Sequence, residues 1–560
     1  MGTARAAARE RGRAAARTSG RRARKRRRAA QGAGADAGAG ADADAAAPGA
    51  LFSAREVLLA TGGRLVGAVG SLESAGVGRS ARGVATDTRG GACAGRWFVA
   101  LEGERLDGHA FLRAAAEGGA AGAVVREERF VEELAEGWPA ERPVVAVGDT
   151  LVALQALATS HRRRLAEAAP VVAVTGSCGK TTVRRMIATA LTARYSAVHA
   201  TAGNLNNHVG VPLTLLDAPA DADALVLEMG MNAPGEIAEL QAIAEPTVRV
   251  VTNVGPVHLE GFGAAGIEGV AAAKAELVAG ARAGDVCVLN ADDARVAAMS
   301  ATAREHGAAV VTFGYAQGAD VRLLSSRRAE GAADRTLVAF EVGGACVECA
   351  LDAIGEHVAA CAAAALAATL AADGALGDGG LQGAGAAAED FALALSAGYR
   401  PEAMRLTVKR LPGGAVVLDD TYNSNPMSAL SALCSLSSYP LPVEAPAARR
   451  VALLGDMLEL GSEAAALHEQ TLEVALATSG VSVVGVAGEL FCAAAAVVRE
   501  GKSGGDGDEP LLLCAPDSTA LGALAAAEVR SGDVVLLKGS RGVRMERALD
   551  ALTAAAAAAK

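Results

Sequence analysis

Side chains suited to binding phosphate stand between an apolar strand and a helix. The run Thr175-Gly176-Ser177-Cys178-Gly179-Lys180-Thr181-Thr182 follows the apolar stretch 171–174 and precedes a helix-like stretch at 183–195. Glycines let backbone N–H groups turn toward phosphate oxygens, and a helix N-terminus adds the positive end of a dipole. The Lys180 ammonium can reach the outer phosphates of a nucleotide, and the Thr181 hydroxyl can bind Mg²⁺. The sequence therefore predicts a phosphate-binding loop, in a shortened form because Val174 stands where the common motif has its first glycine.

Two more polar side chains follow neighbouring apolar strands. Glu228 ends the run 224–228, and His258 comes shortly after the run 249–253. Ligands bind at the carboxyl ends of parallel strands, and a carboxylate is costly to bury without a partner. Either residue alone is more often a structural partner than a ligand. Beside a phosphate loop, the pair predicts a Mg²⁺ site.

The elements that must position these residues form three successive sets of short apolar strands alternating with helix-length segments. The predicted strands are 97–101, 121–125, 144–147, 171–175, 224–228, 249–253, 285–290, 415–418, 451–454, 483–487 and 534–537. This alternation is typical of α/β domains with parallel sheets. We predict a small N-terminal α/β domain at 51–165, a central P-loop domain at 166–398 and a C-terminal Rossmann-like domain at 399–560. Gly-rich stretches at 373–389 and 501–509 predict surface loops.

Composition narrows the class of protein. The chain has 560 residues, 51% of them hydrophobic and only 3% aromatic, and no apolar run is long enough to predict a membrane span. Nine cysteines without a secretory leader indicate a reduced compartment. Cys346 and Cys349 form a lone CxxC in a strand-like stretch, which is weak evidence for redox or zinc chemistry.

Charge is divided unevenly between the N-terminal tail and the body. Residues 1–50 carry twelve Lys or Arg against four Asp or Glu, so a chain of net charge −10 has a body of −18. An acidic body argues against a nucleic-acid-binding protein. The tail lacks core-forming residues and is predicted to be disordered. The tail is basic and acid-poor, as a transit peptide is, although it is not Ser-rich. The alternatives are a passive tail and a nuclear-localisation or nucleic-acid-binding arm at 21–28. We expect a cytoplasmic protein from a bacterium, or a plastid protein from an alga or plant.

Strings in all three predicted domains resemble the Mur ligase family, over about 51–552. In the central domain, 175–182 is similar to the family's TGSxGKTT string, 203–212 resembles its GNxNNxxGxP string, and Lys274 matches a lysine that these ligases carry as a carbamate. In the third domain, 419–426, 455–461 with His468, and 538–541 with 545–546 resemble strings of the branch that adds D-alanyl-D-alanine. The resembling strings are Thr86-Asp87-Thr88-Arg89, Gly203-Asn204-Leu205-Asn206-Asn207, Asp419-Asp420-Thr421-Tyr422-Asn423-Ser424-Asn425-Pro426, Gly455-Asp456-Met457-Leu458-Glu459-Leu460-Gly461 and Lys538-Gly539-Ser540-Arg541.

The resemblance implies a three-domain Mur ligase. It implies an ATP-dependent ligase of peptidoglycan precursor synthesis that joins D-alanyl-D-alanine to UDP-N-acetylmuramoyl-tripeptide through an acyl phosphate, as a monomer. The implied catalytic residues are Lys180, Lys274, His258 and Glu228. The implied Mg²⁺ ligands are Thr181, Glu228, His258 and carbamylated Lys274. The implied ATP-binding residues are Thr175, Gly176, Ser177, Cys178, Gly179, Lys180, Thr181, Thr182, Asn290, Arg405 and Asp420. The implied substrate-binding residues are Thr86, Asp87, Thr88, Arg89, Asn204, Asn206, Asn207, Tyr422, Asn423, Asn425, Lys538, Ser540 and Arg541.

The string that holds adenine in the family departs from its pattern here. Val358 and Cys361 replace its two asparagines. Other groups, such as the backbone, would therefore have to bind adenine. Arg405 matches the arginine of a further family string, but the residues beside it do not match that string. Three alternatives stay open: a sister ligase adding a single amino acid (the MurE or folylpolyglutamate type), a catalytically inactive Mur-like binding protein, and a P-loop motor or switch.

Overall fold

The N-terminal part is built on a five-stranded sheet. The computed structural model describes residues 51–66, 81–103, 105–129, 137–166, 169–377, 380–501 and 509–558. The predicted tail at 1–50, and all but the ends of the predicted loop at 501–509, lie outside these residues. The first elements are β1 Leu51–Phe52, α1 Ala54–Thr61, β2 Arg64–Val66, β3 Ala81–Arg82, β4 Val84–Ala85, β5 Trp97–Val99, α2 Leu112–Glu117, β6 Gly122–Arg126, β7 Val144–Val147 and α3 Thr150–Arg162.

The strand order of this sheet is β2-β7-β6-β5-β4, with β2 antiparallel to β7 and the other pairs parallel. Strands β1 and β3 form a separate antiparallel pair. The Trp97 indole N–H donates to the Phe52 carbonyl oxygen at 3.1 Å, which ties the small pair to the larger sheet.

The central part is a nine-stranded sheet covered by helices. Its elements are β8 Val171–Thr175, α4 Lys180–Leu191, β9 Val198–Ala200, α5 Gly210–Leu216, β10 Ala224–Glu228, α6 Glu236–Ala244, β11 Val248–Val251, α7 Gly266–Ala279, β12 Val286–Asn290, α8 Ala294–Ala298, α9 Ser300–Glu305, β13 Ala309–Gly314, β14 Val321–Ala329, β15 Ala332–Val342, β16 Ala345–Leu351, α10 Glu356–Ala372 and α11 Gly385–Gly398. The order β16-β15-β14-β13-β12-β11-β8-β10-β9 is parallel from β9 to β14 and antiparallel beyond. Strands β10 and β11 therefore flank β8, and the residues after these three strands meet at one edge.

The C-terminal part is a six-stranded, mostly parallel sheet. Its elements are β17 Thr407–Arg410, β18 Val416–Asp420, α12 Pro426–Ser438, β19 Arg450–Gly455, α13 Ala464–Ala477, β20 Val481–Ala487, α14 Glu489–Gly501, β21 Leu511–Ala515, α15 Ser518–Glu528, β22 Val534–Lys538 and α16 Glu546–Ala558. The order is β17-β18-β22-β19-β20-β21, and only β17 runs antiparallel to its neighbour. The α/β fold with a central P-loop sheet and a C-terminal Rossmann-like sheet is confirmed.

Helix α10 is buried on nearly every side. It is apolar all round, as a helix enclosed in a core must be, and its alanines let neighbouring backbones approach closely. It packs on α4 and on the sheet beneath. Helix α10 is therefore one of the most enclosed helices of the described chain.

The predicted loop at 373–389 is wrong in its last residues, because α11 begins at Gly385. The stretch 386–388 is three alanines, whose helix propensity outweighs the glycines before them. The CxxC lies in β16, where Cys346 is exposed and Cys349 is buried. Residues three apart on a strand point to opposite faces, so these thiols do not face each other. Among the described helices, none is both long and apolar enough to cross a bilayer.

Candidate functional site

The phosphate loop is fixed by the residues that follow β11. Gly176 has φ +148, and a Cβ there would lie 1.9 Å from Thr252 Oγ1, so a larger side chain does not fit. The Ser177 and Cys178 N–H groups donate to the Asn253 carbonyl and side-chain oxygens, at 2.9 and 2.8 Å. The Thr252 hydroxyl donates to the Cys178 carbonyl at 2.7 Å. The predicted strand 249–253 ends early, at Val251, because Thr252 and Asn253 turn to hold the loop.

The loop lysine begins a helix and folds back on the turn. Gly179, at φ +82, caps α4, which therefore starts at Lys180, three residues before the predicted start. The Lys180 Nζ donates to the Gly176 carbonyl oxygen at 2.7 Å. Burial lowers the pKa of Lys180, and the nearby Glu228 carboxylate partly opposes that shift. The ammonium is thus held at the turn where phosphate oxygens are expected.

The carboxylate at the end of β10 is buried and contacts Thr181, Asn206 and Arg184. Glu228 Oε1 accepts hydrogen bonds from the Thr181 hydroxyl at 3.2 Å and the Asn206 amide at 2.9 Å. Glu228 Oε2 has no hydrogen-bond partner among the described residues, although Arg184 Nε lies 3.3 Å away. Arg184 is also bonded to Glu402, at the start of the C-terminal part. Glu228 Oε2 is therefore ion-paired but makes no hydrogen bond, and a carboxylate of this kind can still serve as a metal ligand.

His258 lies on the same edge of the sheet and is contacted from the C-terminal part. It precedes the 3₁₀ turn Leu259–Ala265 and has φ +54. Its Nδ1 lies 2.5 Å from Glu459 Oε2, across the boundary between the two parts. The hydrogen bond with His258 lowers the pKa of Glu459. The ring's Nε2 is left for another partner.

Lys274 lies behind the phosphate loop in α7. Its side chain is only 2% exposed, and we find no hydrogen bond or ion pair of its ammonium among the described residues. Burial lowers the pKa of Lys274 well below its usual value, and the charge of Lys180 lowers it further. Burial without an acidic partner favours the neutral form of the Lys274 amine.

The opposite wall of the site comes from the ends of β18 and β22. Asp420 Oδ2 accepts from Lys538 Nζ at 2.6 Å, and Asp420 Oδ1 accepts from the Leu406 N–H at 3.1 Å. Lys538 Nζ also donates to the Asn423 carbonyl oxygen at 2.9 Å. A buried ion pair therefore holds the loop 421–425 at the site.

Arg405 reaches the site from a strained segment. Its guanidinium carbon lies 4.1 Å from the centre of the Tyr422 ring. The buried Arg405 Nε has no hydrogen-bond partner among the described residues. The flanking residues Met404 and Leu406 have φ +63 and +52. Left-handed residues that are not glycine are uncommon and concentrate at functional sites. This side chain can receive an anion.

These two walls enclose one cleft of about 490 Å³. The predicted site residues that line it are Ser177, Cys178, Gly179, Lys180, Thr181, Thr182, Asn204, Asn206, Asn207, Glu228, His258, Asn290, Arg405, Asp420, Tyr422, Asn423, Asn425, Lys538 and Arg541. Cationic, amide and carboxylate groups thus converge from two sheets. Such a cleft can hold a metal-bound polyphosphate and a second polar substrate.

Other predicted residues lie outside the lining. Thr175 is buried at the base of the phosphate loop with Gly176, and Lys274 is buried behind it. Ser540 is buried, and its hydroxyl accepts from the Leu458 N–H at 2.9 Å. The N-terminal group Thr86, Asp87, Thr88 and Arg89 is also apart from the cleft, and Arg89 pairs with Asp87 at 2.5 Å. Hydrogen bonds from Arg89 lower the pKa of Asp87 to about 2. The binding roles of all these residues stay predictions.

The region predicted to hold adenine is apolar on the side of α10. Cys361 lines the cleft beside Ala360 and Ala364, and a Cβ at Gly179 would lie 3.1 Å from its sulfur. Burial raises the pKa of Cys361 to about 12, so it is a neutral thiol. His357 also lines the cleft; burial lowers its pKa, and its buried Nδ1 has no hydrogen-bond partner among the described residues.

Several residues of this site are not predicted from the sequence. Arg184, Thr252 and Asn253 contact the Glu228 carboxylate and the phosphate loop, and each lies within a few residues of a predicted site residue. Glu459 lies in the string 455–461, where that resemblance alone could have singled it out.

Known proteins resemble this chain along most of its length. Residues 174–369 match the Mur ligase middle domain, and 404–541 match the domain described as "Mur ligase, glutamate ligase domain". A relative from Bacillus subtilis (strain 168), named UDP-N-acetylmuramoyl-tripeptide--D-alanyl-D-alanine ligase, is 33% identical over 474 residues, which cover 83% of this chain and 91% of the relative.

Solved structures agree with that relationship. MurF from Acinetobacter baumannii superposes with a TM-score of 0.75 at 26% identity, covering 90% of this chain and 100% of that one. MurF ligase from Thermotoga maritima, solved in complex with ADP, gives a TM-score of 0.69 at 26% identity, covering 86% and 99%. The chain therefore belongs to the Mur ligase family and, within it, to the MurF ligases.

Proposed function

We propose that the chain joins D-alanyl-D-alanine to UDP-N-acetylmuramoyl-tripeptide at the expense of ATP, in the synthesis of peptidoglycan precursors. One observation carries the proposal: the phosphate loop with Glu228 and His258 faces Arg405, Asp420 and Lys538 across a single cleft. The relatives' names and the ADP bound to the Thermotoga structure supply the identity of the substrates.

The chemistry begins by activating a carboxylate, which is a poor electrophile. The terminal carboxylate of the tripeptide attacks the γ-phosphorus of ATP; a C–O–P bond forms, the bond between the β- and γ-phosphates breaks, and ADP leaves. Lys180 and the N-terminal end of α4 stabilise the negative charge that spreads over the transferring phosphoryl oxygens. Arg405 approaches the same group from the C-terminal wall.

The second step forms the amide. The free amine of D-alanyl-D-alanine attacks the acyl carbon, inorganic phosphate leaves, and the amine loses a proton. An acyl phosphate hydrolyses in water, so a cleft closed between two domains favours transfer to the amine. Asp420 holds the ribose of the nucleotide, and its ion pair with Lys538 keeps that wall in place.

A divalent cation fits the donor set on the central wall. The buried Glu228 Oε2 without a hydrogen bond, the His258 ring and the Thr181 hydroxyl are the groups that would hold Mg²⁺. When bound, Mg²⁺ neutralises charge on the phosphate oxygens. Lys274 would join as a carbamate, because burial favours its neutral amine and an anionic oxygen suits a hard cation where an ammonium would repel it.

The decisive experiment measures phosphate release and product mass. With ATP, UDP-N-acetylmuramoyl-tripeptide and D-alanyl-D-alanine together we expect phosphate and a new amide, and omission of any one should stop both. A screen of single amino acids as donors tests the sister-ligase alternative, and acceptors with meso-diaminopimelate or lysine identify the third peptide residue. Nucleotide binding without phosphate release would indicate a catalytically inactive binding protein. ATP hydrolysis in the absence of an acceptor would indicate a motor or a switch.

A further inference from the structure

A carboxylate from the C-terminal part contacts the imidazole of the central part. Glu459 follows β19, His258 follows β11, and Glu459 Oε2 lies 2.5 Å from His258 Nδ1. Among the residues that the structure describes, Glu459 is the only hydrogen-bond partner of this ring. The contact therefore joins the two parts at a residue that faces the cleft.

The backbone is strained on both sides of the contact. His258 has φ +54 and Glu459 has φ +65, and neither is a glycine. Such conformations persist where the surrounding structure holds them in place. Two further contacts do so here: the Glu260 N–H points at the Glu459 carbonyl oxygen at 3.4 Å, and a Cβ at Gly461 would lie only 3.2 Å from the Glu260 Cα. The two segments are thus fitted to each other by main chain as well as by side chain.

The hydrogen bond decides what the imidazole can do. An ionised carboxylate can only accept, so in the neutral imidazole Glu459 places the proton on Nδ1 and leaves the Nε2 lone pair free. It also sets the orientation of the ring. Histidines that bind metals usually donate their other N–H to a carboxylate or carbonyl, and loss of that partner weakens metal binding.

We propose that Glu459 is a positioning residue that prepares His258 to bind the divalent cation. Because Glu459 belongs to the C-terminal part, the metal site is complete only when that part is docked on the central one. Metal binding and domain docking therefore support each other. The inference rests on the proposed function in one respect only, namely that a divalent cation accompanies the nucleotide in this cleft.

The test measures cation binding rather than turnover. Free Mn²⁺ is counted by electron paramagnetic resonance in titrations of the full chain saturated with a non-hydrolysable ATP analogue. We expect Glu459→Ala to weaken Mn²⁺ binding by about 10-fold or more. Glu459→Gln should lose less, because its amide oxygen can still accept from Nδ1. The Glu459 side chain is 58% exposed, so truncation opens no cavity, and a circular dichroism melt checks the fold.

Glu463→Ala is the matched control. Glu463 is exposed in the neighbouring turn Gly461–Glu463 and carries the same charge, so its loss should leave Mn²⁺ binding unchanged. Unaltered Mn²⁺ affinity in Glu459→Ala, or an equal loss in Glu463→Ala, overturns the proposal. Ligase activity is scored separately: wild type without ligation but with Mn²⁺ binding that depends on Glu459 would refute the proposed reaction and leave the positioning role standing.

Discussion

The Lys180 ammonium lies 2.7 Å from the carbonyl oxygen of Gly176, so the loop cation bonds to its own turn. Gly176 cannot carry a side chain there, because Thr252 Oγ1 occupies the space. Burial makes the Lys180 ammonium costly to hold without an anion and so lowers its pKa. Phosphate oxygens can replace the carbonyl as its partner, so the geometry prepares Lys180 for a nucleotide.

Lys180→Ala should abolish turnover and leave the fold intact. Removal of a preorganised charge at a transferring phosphoryl group costs at least about 100-fold in kcat. The measurement is phosphate release with all three substrates, with Lys180→Met as a matched variant that keeps the length of the side chain. Both variants should melt close to the wild-type Tm. Normal phosphate release by Lys180→Ala refutes the role of the loop lysine.

Lys274→Ala should lose activity that short-chain carboxylic acids partly restore. The buried amine has no acidic partner among the described residues, and removal of its stem leaves space in which acetate or propionate can supply the oxygen ligand that a carbamate supplies. We expect a loss of about 100-fold or more, and recovery that saturates with acid concentration. Lys180→Ala serves as the control that acids do not rescue. Full activity in Lys274→Ala without added acid removes Lys274 from the site.

Features that depend on chain order could be predicted from the sequence. The phosphate loop, the strand-end position of Glu228 and the parallel sheets follow from local pattern, because strand, turn and helix are encoded by neighbours. The contact of Glu459 with His258 joins residues 201 positions apart, and no local pattern specifies it. The Ser540 hydroxyl, which is predicted to bind substrate, accepts a hydrogen bond from the backbone of Leu458, a contact that its shared string does not specify. A shared string identifies residues but not which of them support the others.

Alkylation of Cys178 should inactivate the protein, and ATP should protect it. The thiol is half-buried in the cleft, and its hydrogen bond to the Asn425 side-chain oxygen, at 3.2 Å, spans the two walls. A maleimide on this sulfur would fill the space for phosphates. We expect loss of phosphate release to follow labelling of the peptide that contains Cys178, measured by mass spectrometry, and to slow when ATP is present.

Cys178→Ser is the informative variant for this prediction. It should keep the hydrogen bond to Asn425 and resist inactivation. The exposed Cys346 and Cys434 will also react, and their labelling should not follow activity. Equal inactivation of wild type and Cys178→Ser would show that a different thiol is responsible.

The buried His468 ring should make folding stability depend on pH. Its Nε2 accepts from the Met457 N–H at 2.9 Å, and its Nδ1 lies 2.6 Å from the Ala464 carbonyl oxygen, an arrangement that only the neutral ring can make. Burial lowers the pKa of His468 below its ordinary value of 6.5. As the pH falls, His468 therefore binds a proton more readily in the unfolded chain than in the folded chain. This contribution to stability is complete above about pH 6.5 and is lost as the pH falls toward the lowered pKa.

His468→Gln removes that proton, while its amide oxygen can still accept from Met457. We expect Tm to fall less in the variant between about pH 7.5 and about pH 5, because one such ring contributes a slope of up to about 1.4 kcal/mol of unfolding free energy per pH unit. His161 is also buried, and burial lowers its pKa, so it makes a similar contribution to the pH dependence of stability. The variant should therefore reduce the dependence of Tm on pH only in part. His306→Gln removes an exposed ring and is the control. Parallel Tm curves for wild type and His468→Gln would show that the ring is not held neutral.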